Sequence, residues 1–230
     1  MLKQSVGSVV DSGRREQSGT AALYAFAAVC LVVCAALTWQ VHAGSGLVEL
    51  DHQWHGAFVA HRQPWLTVLA HAVTACGSVV LVSIAAVVAC AVAFIRRDRV
   101  GGIVLAASVV VASLLVLVVK NTVGRARPPI ADMLGASPHS YSFPSGHTAM
   151  STVLYGVLTV VLCRHVAHGV GRWLLAVNAA LLVVGVGLSR VYLGFHWLTD
   201  VLAGWALGGA IVTVAIVVLN SRKLDRRGVR

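Results

Sequence analysis

Residues 101–119 read GGIVLAASVVVASLLVLVV, an uncharged run closed on one side by Arg96-Arg97-Asp98-Arg99 and on the other by Lys120. A helix crossing ~30 Å of hydrocarbon needs about 20 apolar residues, so this stretch has the length of one membrane span. Its Gly, Ala, Ser and Val are residues that let membrane helices approach closely. Moving outward, residues 21–41, 65–95, 148–163, 171–188 and 201–219 carry the same character. The run at 65–95 is longer than one straight span needs, and Gly77-Ser78 interrupts it; it is read as a short helix leading into the second span. The resulting fold class is all-α, a polytopic membrane protein with six transmembrane helices in one bundle.

Composition agrees with that class. The chain of 230 residues is 58% hydrophobic and 11% charged, with a mean hydropathy of +0.83, outside the range of a soluble domain. The net charge of +10 points to a positive-inside bias and not to nucleic acid, because the charges sit in short segments between apolar runs. Lys3, Arg14 and Arg15; Arg96, Arg97 and Arg99; Arg164 and Arg172; and Arg222, Lys223, Arg226, Arg227 and Arg230 all fall on one side of a six-span topology. That side is expected to be the cytoplasm. The domain plan is then a cytoplasmic segment at 1–20, the membrane domain at 21–220 and a basic cytoplasmic tail at 221–230. The first apolar run exceeds a signal-peptide core, so a retained helix is expected over cleavage near Val41-His42-Ala43.

Cys30, Cys34, Cys76, Cys90 and Cys163 lie within apolar stretches, lack CxxC spacing and are odd in number, which indicates neither a disulfide framework nor a zinc site. Residues 44–64 read as a loop with a short interfacial helix whose His52, His55 and His61 form a polar face and not a metal site. His71, the ionisable residue set well inside an apolar run, is expected to pack or hydrogen-bond within the bundle.

Basic residues on the other side of the membrane need a separate explanation. Lys120-Asn-Thr-Val-Gly-Arg-Ala-Arg127-Pro128, Pro144-Ser145-Gly146-His147 and Ser189-Arg190 through His196 to Asp200 all fall at the same ends of their spans by topological parity. Lys120, Arg127 and Arg190 supply cations suited to a phosphate, the two guanidiniums bidentately. Ser145 and Gly146 precede a helix whose first N–H groups favour an anion. His196 and Asp200 are four apart, expected on one helix face with Asp200 accepting the Nδ1 proton and Nε2 left free as nucleophile. His147 stands at the mouth of the site as an acid or base. Taken singly, Lys120 and Arg125 read as interfacial snorkelling side chains, and Arg190 with Asp200 as a structural ion pair. The joint pattern changes that reading.

The pattern K-x6-R-P, P-S-G-H and S-R-x5-H-x3-D resembles the type 2 phosphatidic acid phosphatases, which share a site with bacterial acid phosphatases and vanadium haloperoxidases, and this chain matches it without departure between Lys120 and Asp200. The resemblance implies that Lys120, Arg127, Arg190, Ser145 and the N–H of Gly146 bind the phosphoryl oxygens. It also implies that His196 attacks phosphorus, that His147 protonates the departing oxygen and later serves as base, and that Asp200 orients His196, with no metal or other cofactor. The substrate class implied is a lipid phosphate: phosphatidic acid, phosphatidylglycerol phosphate or a polyprenyl diphosphate at the outer face of a bacterial plasma membrane. The alternatives are a phosphotransferase, a lipid-binding or transport protein without chemistry, and a vanadate-dependent haloperoxidase, the last opposed by six apolar spans.

Overall fold

In the computed structural model, backbone is described for residues 2–44, 46–167 and 169–228, and side chains for 18–44, 46–167 and 169–221. The side chains of the basic N-terminal segment and of the tail therefore lie outside the described residues. Among the described residues the α-helices are, in chain order, α1 Leu2–Ala43, α2 Leu47–Ala60, α3 Pro64–Ala75, α4 Val79–Ile95, α5 Arg99–Val123, α6 Gly146–Cys163, α7 Gly169–Tyr192 and α8 Leu198–Gly228, with a 3-10 turn at Ile130–Asp132. Among the described residues there is no strand.

Among the described residues, five helical segments are long and apolar enough to cross a membrane: Ser18–Ala43, Arg99–Val123, Gly146–Cys163, Gly169–Tyr192 and Leu198–Ser221. α3 and α4 pass the same test only as a pair, bent by 45° at the break between them, which makes six crossings if the pair is one span. The bend falls where the sequence placed its interruption. Ser78 caps α4 by accepting from Leu81 N–H at 3.2 Å, and a Cβ at Gly77 would stand 2.4 Å from a Val186 methyl and 3.2 Å from the carbonyl of His147. Glycine is thus required where the bend meets α6 and α7.

The core is built around α6. Its Val153, Leu154, Val157 and Val161 are buried against Val82 and Ala86 of α4, Leu105 and Ala112 of α5, and Ala215 and Leu219 of α8. Small residues set the closest approach: a Cβ at Gly204 would lie 2.9 Å from Ser145 O, and one at Gly208 2.6 Å from Thr152 Cβ. This is small-xxx-small packing. The large exposed apolar side chains, such as Phe26, Val87, Leu114 and Leu181, face outward, as a protein solvated by lipid demands. His71, expected inside the bundle, is instead exposed on α3, because the face of α3 turned to α7 carries Ala70.

A second cluster lies at the end of the bundle where α5 and α7 finish and α6 and α8 begin. Ala70, Met133, Tyr192, Leu193 and Phe195 are buried there, with Phe58, Leu66 and Leu134 packed on them. Leu134 N–H donates to Leu193 O at 2.9 Å, and Arg62 Nη2 donates to Asp132 O at 2.7 Å. The loop of residues 129–143 is tied down by these contacts.

Candidate active site

The three motifs meet at that end. Lys120 sits in the last turn of α5, which Gly124 closes in the left-handed conformation with φ 63°. Arg190 is in the last turn of α7. Gly146 and His147 open α6, with Ser145 as N-cap. Lys120, Arg127, Gly146, His147, Arg190 and His196 all line one cavity of about 440 Å³, whose remaining walls include Val79, Val82, Val109, Val116, Leu117 and Met150. One end is cationic and the other is apolar. A second cavity of about 320 Å³ adjoins it on the far side of Arg127, Pro138 and Ser140.

His196 and Asp200 do not share a helix. α8 starts at Leu198, so His196 stands in the turn before it, and the expectation of a common helical face is corrected. Asp200 occupies the third helical position, where Oδ2 accepts the N–H of Trp197, the N-cap residue, at 2.9 Å as in half of a capping box. The same oxygen lies 3.3 Å from His196 Nδ1 and also accepts a short hydrogen bond from Ser142 Oγ. The turn itself needs Gly194: φ is 79°, and a Cβ would stand 2.5 Å from Asp132 O.

His196 is 2% exposed and Asp200 fully buried. Burial pushes the imidazole down to about 3, with Arg190 and Arg127 acting the same way and Asp200 opposing them. A neutral ring with Nδ1–H directed at Asp200 leaves Nε2 unprotonated as an acceptor, and in the empty site its lone pair meets the Arg127 Nη1 donor at 3.3 Å.

The cations differ in what they hold. Lys120 Nζ donates to Ser142 O at 3.3 Å and makes a short bond to Tyr141 O. Arg127 donates to Ser140 O at 2.7 Å, Phe195 O at 2.6 Å and Tyr141 O at 3.3 Å, and burial lowers its guanidinium below the ordinary value. Arg190 is 5% exposed. Its Nη1 donates to Thr74 Oγ1 at 3.1 Å and its guanidinium lies 4.2 Å from the Phe195 ring centroid, while Nε is buried with no hydrogen-bond partner. A buried donor without an acceptor costs about 1–3 kcal/mol, and an anion in the cavity would satisfy it.

Ser145 stands apart from the other motif residues. It is fully buried, its hydroxyl accepts from Thr148 Oγ1 at 2.9 Å, and it is absent from the cavity wall. Its N–H donates to Asp200 O at 3.0 Å, which fastens the start of α6 to α8. Several supporting residues were missed from the sequence. Arg125, read there as an interfacial side chain, is buried between two carboxylates, 2.6 Å from Asp51 Oδ2 and 2.6 Å from Asp200 Oδ1. Ser142 and Thr74 were not singled out; for Arg125 the available signal was its place three residues before Pro128, inside the first motif. α2 differs from expectation in part: His52 and His61 are exposed as read, but Asp51 and His55 are buried, and His55 Nε2 meets Asp132 Oδ2 at 3.0 Å.

Residues 101–224 match the family model of the PAP2 superfamily. Phosphatidylglycerophosphatase B of Bacillus subtilis is 34% identical over 153 residues, 66% of this chain and 74% of that protein. The chain belongs to the PAP2 superfamily. An undecaprenyl-diphosphatase of Sulfolobus acidocaldarius is 34% identical over 135 residues, 57% of this chain and 61% of that protein. The crystal structure of a transmembrane PAP2 type phosphatidylglycerolphosphate phosphatase from Bacillus subtilis superposes with a TM-score of 0.74 at 28% identity, covering 88% of this chain and 96% of that one. This PAP2 protein is accordingly a multi-pass membrane enzyme of the lipid phosphate phosphatase type.

Proposed function

We propose that this lipid phosphate phosphatase cleaves a phosphomonoester or diphosphate of a membrane lipid through a phosphohistidine on His196, at a site facing the outside of a bacterial plasma membrane. The observation that carries the reading is the single cavity with Lys120, Arg127, Arg190 and His196 at one end and Val79, Val82, Val109 and Val116 along the other. A phosphate fits the first end and a hydrocarbon tail the second. The outward orientation is supported by the basic residues Arg96, Arg97, Arg99, Arg164 and Arg172, which sit at the opposite end of the bundle and favour the cytoplasm.

In the first step His196 Nε2 bonds to phosphorus as the bond to the lipid oxygen breaks, and His147 gives that oxygen a proton. The new imidazolium keeps its Nδ1–H, directed at the Asp200 carboxylate. Lys120, Arg127, Arg190 and the N–H of Gly146 carry the charge that spreads over the phosphoryl oxygens. In the second step water attacks phosphorus, His147 takes its proton, the P–N bond breaks, and inorganic phosphate leaves with His196 neutral again. Phosphatidylglycerol phosphate and undecaprenyl diphosphate are candidate substrates supported by the names of the relatives, and phosphatidic acid is a third, implied by the motif resemblance alone.

Phosphate release by purified wild type and His196→Ala, measured with chelator over those three lipids, tests the reading. Turnover that survives chelator and is lost in the variant is expected. Equal turnover in both proteins refutes it, and phosphate passed to an added alcohol or sugar in preference to water moves the assignment to a phosphotransferase.

A further inference from the structure

The turn that carries His196 is held from outside the residues that match the family model. α2 precedes them in the chain and contributes Asp51, a carboxylate 2% exposed. Both of its oxygens are engaged. Oδ1 accepts the backbone N–H of Thr199 at 2.9 Å. Oδ2 accepts the Thr199 hydroxyl at 2.5 Å and Arg125 Nη2 at 2.6 Å. The other terminal nitrogen of Arg125 donates to Asp200 Oδ1 at 2.6 Å, and Asp200 Oδ2 faces His196 Nδ1 at 3.3 Å. One guanidinium is therefore shared between two buried carboxylates in a line that ends on the imidazole.

That sharing has a chemical consequence. Two carboxylates and one guanidinium leave one negative charge in excess on the Nδ1 side of His196, while Arg127 stands at its Nε2 side, in surroundings where water does not screen either. With Asp51 neutral, Arg125 would be opposed by Asp200 alone. Asp200 would then be a poorer acceptor for Nδ1–H and a poorer counter-charge for the imidazolium that forms as Nε2 bonds to phosphorus. α2 also fixes the neighbouring residue, since the rings of His52 and His55 stand 4.7 and 5.4 Å from that of Trp197 in edge-on contact.

We propose that Asp51 is a positioning residue of the hydrolytic reaction, which acts through Arg125 to set the charge and direction of Asp200 and so the reactivity of His196 Nε2. The proposal rests on His196 being the nucleophile. Asp51 is absent from the cavity wall, so its effect belongs to the chemical step and not to lipid binding.

The test uses the full chain in detergent with a lipid phosphate. Asp51→Asn keeps a carbonyl oxygen for the Thr199 N–H and removes the charge. Its kcat is expected to fall on the order of tenfold to a hundredfold, the worth of a hydrogen bond to a charged group, with KM held within about twofold of wild type. Arg125→Lys keeps a positive charge without a fork able to reach both carboxylates, and is expected to lose kcat similarly. In the double variant the losses should not multiply, because the second change acts on a line already broken. If Asp51→Asn does not fold, Arg125→Lys decides by the same criterion. Wild-type kcat, a loss confined to KM, or losses that multiply would each overturn the proposal. Acid-stable mapping is unsuitable for a P–N bond, so the phosphoenzyme is trapped and mapped under alkaline conditions in the same preparations. Label on a residue other than His196 overturns the nucleophile assignment itself, whereas label on His196 together with unchanged kcat in Asp51→Asn overturns only the role of Asp51.

Discussion

Replacing Arg190 by Met removes a buried guanidinium while roughly keeping the volume of its stem, and the effect on stability can be worked from its contacts. The hydrogen bond from the guanidinium to Thr74 Oγ1 at 3.1 Å contributes about 1.5–3 kcal/mol. The contact over the Phe195 ring at 4.2 Å contributes roughly 0.5–2 kcal/mol. Against these stands the unpartnered Nε, whose desolvation costs about 1–3 kcal/mol. The terms cancel in part and leave about 1–2 kcal/mol, so the melting temperature of the empty protein should fall by less than about 8 °C. Catalysis should respond quite differently. Loss of one preorganised donor to a developing oxyanion lowers turnover by about 10²–10³, or roughly 2.7–4 kcal/mol of barrier. The assay is paired: thermal unfolding with and without saturating inorganic phosphate, and kcat/KM on a lipid phosphate. Phosphate should raise the wild-type melting temperature by linkage, and the rise should shrink in Arg190→Met. A variant destabilised by several kcal/mol would make Arg190 a scaffold residue, and one with wild-type kcat/KM would remove it from the phosphate site.

Two further outcomes follow from the geometry. His196 is held neutral, with its folded value near 3 against 6.5 for the free side chain; the unfolded chain therefore binds the extra proton, and the stability tied to this group is fully present above about pH 6.5 and lost as pH falls toward 3, at up to about 1.4 kcal/mol per pH unit. The ring's NMR resonances should not titrate between pH 5 and 8, and a midpoint near 6.5 would contradict the burial. Gly208→Val places side-chain atoms against Thr152, where a Cβ alone would stand 2.6 Å away; overpacking of this kind costs about 1–3 kcal/mol and should lower melting temperature and activity together, whereas Gly56→Ala, with open space around the site, should lower neither.

Much of the architecture was legible because membrane helices announce themselves by length. The interruption at Gly77-Ser78 and the Lys120, Gly146 and Arg190 helix ends could be read from local pattern, since each reflects a requirement of its own segment. The parity of six spans then put the three motifs at one end of the bundle. What could not be read was the layer behind the cavity. Asp51 comes from α2, and Arg125 and Ser142 from the two ends of the connection between α5 and α6; their contacts with Asp200 and Thr199 arise only from tertiary packing. Periodicity misled at His196: a spacing of four suggests a helix face, but the helix begins two residues later and Asp200 reaches back as a cap. It was incomplete at α2, where His52 and His61 are exposed as read but Asp51 and His55, four apart on the same polar helix, are buried.

The most direct test of the mechanism is to identify the atom that carries the phosphoryl group during turnover. Wild-type protein mixed with a radiolabelled lipid phosphate, quenched in alkali within one turnover and digested for mass spectrometry, should show phosphate on His196, linked through Nε2 and lost on mild acid treatment. His196→Ala should show none. Label on His147, label stable to acid, or rapid turnover with no covalent intermediate at all would contradict the assignment of His196 as nucleophile.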